Sequence, residues 1–136
     1  MGKPLPLRQK IHNLALIYGG ADFKRLLKTN LKKYNHVINW LLIQLFWLHL
    51  ADFEPEIQAK SIKNIPVLFI NGKYDEKIIR VCAEKLHGAF VLEMENGTTG
   101  KEIVWLESKH VHPRKKTLSL EIIKILQQWY KKIGFL

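Results

Sequence analysis

Apolar residues along this chain fall into two kinds of run. The first kind is short and continuous: "LALI" in "HNLALIYGG", Val67 to Ile70 in "IPVLFINGKYDEKI", and Ile103 to Leu106 in "KEIVWLES". In the second run continuous rather than alternating apolar character predicts a strand buried on both faces, as in a parallel sheet, and the first and third read as a buried and a core strand. Gly19 and Gly20 close the first run, and Asn71 and Gly72 close the second. The second kind of run has helical spacing. Ile78, Ile79, Cys82, Ala83 and Leu86 predict a helix from Glu76 to His87, with Gly88 as its C-terminal glycine. Leu118, Ile122, Ile125, Leu126, Trp129 and Ile133 mark one face of a long amphipathic helix. Between the first two strands, residues 21 to about 51 read as helical, basic at first and then apolar and aromatic, and Pro55 restarts a short helix. Around the turn signal Asn96–Gly97 lies a further strand candidate, "FVLEM". Strand and helix alternate, which predicts an α/β fold with a small, mainly parallel sheet of three or four strands flanked by helices.

Composition narrows the picture. With 136 residues, 47% of them hydrophobic, and no internal repeat or Ser/Gly linker, the chain reads as one domain over residues 1–136. Its single cysteine, Cys82, excludes a disulfide framework, and no set of residues has metal-ligand spacing, so no metal or cofactor is expected. Cys82 should pack as a small apolar residue. The start, "MGKPLPLRQK", lacks the apolar core of a secretory signal, which makes a cytoplasmic location the expectation. The most apolar stretch, "VINWLLIQLFWLHLA", is short for a membrane span and is interrupted by Asn39, Gln44 and His49; a buried or pocket-covering helix is expected instead. Its all-round apolarity, with basic residues gathered only before it, speaks against a segment lying on a membrane surface. The net charge of +10 is scattered over three clusters without a nucleic-acid-binding motif, so a solvated basic surface is favoured over a polyanion site.

Candidate chemistry follows from topology. In open parallel sheets the loops beyond the carboxyl ends of the strands share one edge, where ligands and catalytic groups collect. Three loops qualify: Tyr18–Gly19–Gly20, the turn carrying Asp75, and "ESKHVHP" with His110 and His112. An aspartate beside a histidine can hold the imidazole in one tautomer and stabilise its protonated form. The plainer readings also stand at this point: Asp75 as a turn residue or helix N-cap, and both histidines as exposed loop residues.

"IPVLFINGKYDEKI" followed by "VWLESKHVHP" resembles the last third of an α/β-hydrolase, in which a "PVLxxxGxxD" strand and turn supply the acid of a catalytic triad and a later loop supplies its histidine. "LALIYGG" is similar to the preceding strand, and residues 21–60 are similar to a helical cap inserted between the two. The resemblance implies Asp75 as the acid and His110 as the histidine, with His112 the second choice. It also implies Trp40, Phe46 and Trp47 under a cap, lining a site for a small acyl substrate, where core packing is the alternative. The chain departs from the family in lacking the G-x-S-x-G nucleophile turn: Ser61, Ser108 and Ser119 have no such glycines beside them. The expectation is therefore a hydrolase-type chain for esters, thioesters or amides that holds two of three triad members and is inefficient alone. The alternative is a non-catalytic remnant or binding module. In the family the first strand pairs with the nucleophile strand, so self-association or a partner chain should cover its outer edge.

Overall fold

A computed structural model describes residues 12–32, 34–50, 54–62, 65–90, 100–110 and 115–136. In chain order the elements are β1 (Leu14–Ile17), α1 (Phe23–Asn30), α2 (His36–Leu50), α3 (Pro55–Ala59), β2 (Val67–Gly72), α4 (Arg80–Ala89), β3 (Lys101–Leu106) and α5 (Lys116–Lys132). The three strands form one parallel sheet in the order β1-β2-β3, with Leu14 opposite Val67 and Val67 opposite Lys101. This is the expected α/β class. Apart from Phe90, the strand candidate "FVLEM" lies outside the described residues, as does His112.

The continuous apolar run of β2 has the predicted cause. Every residue of β2 is buried, and its side chains alternate between two cores. Leu68 and Ile70 join Leu106, Leu118, Ile122 and Trp129, so the apolar stripe of α5 covers one face of the sheet. Val67 and Phe69 join Ala59, Leu86 and Phe90 on the other face, beneath α3 and α4. Three layers of this kind bury a central strand twice over and, among the described residues, leave β1 and β3 as edges, both only partly buried. Cys82 packs in full burial, as expected, and burial pushes its thiol pKa up.

Three expectations need correction. The helix after β2 begins at Arg80 rather than Glu76, because the backbone N–H groups of Lys77 and Ile78 turn back to donate to Asp75 Oδ1. That helix runs through Gly88 to Ala89, and among the described residues the glycine with a left-handed φ, +71°, is Gly134 just past α5. The third correction concerns α2. Val37, Ile38, Trp40, Leu41, Phe46 and Leu48 are exposed, so α2 is no core helix; it packs chiefly against α1.

Candidate active site

The carboxyl ends of β2 and β3 are zipped together beyond the sheet proper. Lys73 N–H donates to Leu106 O at 2.9 Å, and Tyr74 N–H donates to Ser108 O at 3.0 Å. The chain after β3 thus folds over the end of β2, and Gly72 makes this crossing possible. A Cβ at Gly72 would lie 2.6 Å from Ser108 O and 2.9 Å from Lys109 O, closer than any side chain tolerates against backbone. Glycine at this place lets the loop 107–110 settle directly above the turn that carries Asp75.

The juxtaposition that results is specific. Asp75 Oδ1 accepts from the backbone N–H groups of Lys77 and Ile78 at 2.8 and 2.9 Å, and Oδ2 lies 2.7 Å from His110 Nδ1. The Asp75 side chain is fully buried while that of His110 is 31% exposed. With Oδ1 anchored, the carboxylate cannot rotate away, and Oδ2 is left to accept a proton-bearing Nδ1. A neutral imidazole holding its proton there keeps its lone pair on Nε2. Among the described residues Nε2 makes no hydrogen bond, and the ring is open to solvent on part of its surface. The pair can accept a proton at Nε2 and stabilise the imidazolium through Asp75.

Tyr18 completes the setting. Its ring meets that of His110 edge to face, with centroids 5.4 Å apart, and its hydroxyl shares a 2.6 Å hydrogen bond with Ser108 Oγ. Tyr18 adopts φ +53°, a left-handed conformation that is unfavourable for a bulky residue and that directs the chain from β1 into the same edge. Burial, followed in part by the negative charge of Asp75, raises the Tyr18 pKa, so the phenol stays protonated and uncharged beside the pair. Asn71, fully buried, donates from Nδ2 to Gly19 O at 3.0 Å and ties the loop after β1 to the end of β2. All three predicted loops therefore meet, and they meet through specific bonds. The sequence placed Tyr18 at this edge but carried no signal for its contacts with Ser108 and His110, since these depend on how the loop after β3 crosses Gly72.

The other predicted residues are elsewhere. Trp40 and Phe46 are exposed, and Trp47 lies under Lys24 Nζ, 5.4 Å from its ring centroid. Among the described residues no hydrogen bond, ion pair or ring contact joins these three to Asp75 or His110. The loop 107–109 walls an open cavity of about 480 Å³ together with Tyr74, Thr117 and Leu118, on the α5 side of the pair. The three serine hydroxyls are all bonded elsewhere: Ser61 to Gln58 O, Ser119 to Lys115 O and Ser108 to Tyr18. No group of three His, Cys, Asp or Glu side chains among the described residues could hold a metal ion. No family model, curated protein or solved structure matches the chain.

Proposed function

We propose that Asp75 and His110 are the acid and the base of an acyl-transfer site of the α/β-hydrolase kind, acting on an ester, thioester or amide. The observation that carries this reading is the anchored carboxylate: one oxygen held by two backbone N–H groups and the other on Nδ1 of a half-open imidazole. A turn aspartate needs only the first of these bonds. The strand order β1-β2-β3, all parallel, with the helices of residues 21–60 between the first two strands, supports the likeness to the last third of that fold. In this reading the helices of residues 21–60 correspond to the family's cap.

In this reading the nucleophile is absent or comes from outside these 136 residues, because none of their three serines has the required setting and none of the three hydroxyls bonds to His110. Alone, the pair can do no more than activate water, a contribution of about 10²- to 10⁴-fold. The test is the hydrolysis of p-nitrophenyl acetate by the purified chain. His110→Ala should lower the rate above buffer by about 10²-fold, and Asp75→Asn should lower it as well, with unchanged far-ultraviolet circular dichroism. A rate unaffected by either substitution in a folded chain would sink the reading.

A further inference from the structure

We propose that the outward face of α2, flanked by the basic surface of α1, docks this protein on an anionic lipid surface. The inference goes beyond the acyl-transfer reading and does not depend on it. Val37, Trp40, Leu41 and Leu48 stand at helical spacing that places them on one stripe of α2. All four are exposed, Val37 by 66% and Leu48 by 77%, and Ile38 extends the patch at its side. Gln44 falls on this stripe between Leu41 and Leu48, yet singly exposed apolar residues are ordinary whereas several on one stripe mark a surface with an occupant.

Charge identifies the occupant. From Phe23 to Leu50 the sequence has five Lys and Arg residues and not one Asp or Glu. Lys24, Arg25, Lys28 and Lys32 are exposed on and just after α1, Arg25 with Asp22 4.0 Å from its guanidinium, and α1 is the helix against which α2 packs. The basic residues that precede α2 in sequence therefore lie beside it in space. The objection raised by the sequence pattern, that the charge and the apolar run are separate, is removed by the fold. Lys24 reaching over Trp47 joins a cation to an aromatic ring where the two surfaces meet, an arrangement suited to the headgroup level of a bilayer. A second copy of the chain is a poorer occupant, since a twofold contact through α2 would bring two sets of α1 cations together. As described, α2 is too short to cross a bilayer. Its 15 residues span about 22 Å against a hydrocarbon core of about 30 Å, and among the described residues no helix is long and apolar enough to cross a membrane. The helix lies in the interface, with its protein-packed side taking the place of the polar face that such helices usually have.

Co-sedimentation of the full chain with vesicles tests this. Vesicles of phosphatidylcholine mixed with phosphatidylserine should bind it, and vesicles of phosphatidylcholine alone should bind it at least about tenfold more weakly. Replacing Lys24, Arg25 and Lys28 by Gln should weaken binding about fivefold for each charge removed. Leu41→Ser with Leu48→Ser, at exposed positions where folding is undisturbed, should abolish it. On the unaltered chain, brominated phosphatidylcholine in the mixed vesicles should quench tryptophan fluorescence, and Trp40→Phe should reduce that quenching. The proposal is overturned by absence of binding to the mixed vesicles. It is equally overturned by binding that the two serine substitutions leave unchanged, which would be adsorption by charge alone, or by a dimer that Leu48→Ser dissociates, which would assign the stripe to a second copy.

Discussion

Individual side chains in this protein carry their chemistry because backbone groups hold them. Asp75 is fixed by two N–H donors, and the loop that brings His110 to it can cross only over Gly72. At His87 ionisation is coupled to folding. This histidine stands in the last turn of α4 with its ring edge-on to Phe69, and burial together with the positive charge of Lys101 lowers its pKa. The folded state therefore prefers the neutral ring. Stability from this residue is fully present above the unfolded histidine value of about 6.5 and is lost as pH falls through the lower folded value. The drop in melting temperature between about pH 7 and about pH 5 should accordingly be smaller in His87→Leu than in the unaltered chain. An equal drop in both would show that His87 does not couple to folding. Glu54 works in the opposite sense: burial raises its carboxyl pKa, so its contribution is largest at low pH and fades as pH rises through the folded value.

Among the elements, the strands and α5 were legible in the sequence, and the reason is burial. β2 is apolar from Val67 to Ile70 because both of its faces are covered, and α5 repeats its stripe because one face is. For α2, expected as a buried or pocket-covering helix, the buried alternative fails for the same reason in reverse. Its composition is that of a core helix, and nothing in a single sequence says that the neighbouring elements are too few to cover it. The start of α4 was displaced because Asp75, a plausible N-cap, spends its side chain on a turn and on His110. These differences have an energetic consequence. α2 packs chiefly on α1, whereas β2 is hydrogen-bonded on both edges inside two cores. Native-state hydrogen exchange should find the amides of α2 opening at a much lower free energy than those of Val67–Ile70, which should exchange near the global limit. Equal protection of the two would mean that α2 is held by contacts other than those with α1.

For the molecule as a whole, the parallel order β1-β2-β3 gathers three chain-distant loops at one edge, and the candidate site is a product of that order more than of any local motif. The residue types Asp75 and His110 were readable from the sequence, and so was their common edge. The tyrosine and the serine around them were not, since only the crossing of the loop 107–110 over Gly72 brings Ser108 to Tyr18. Among the described residues the same order leaves β1 with one partner strand, β2. All of this rests on one nitrogen atom being basic and available. The most direct measurement is the tautomer of His110 by long-range ¹H–¹⁵N correlation in the unliganded chain, at a pH where its imidazole is neutral. The account requires the proton on Nδ1, toward Asp75, and a lone pair on Nε2, with the preference lost in Asp75→Ala. A proton found on Nε2 would contradict it, because the ring would then offer no base to any nucleophile or water.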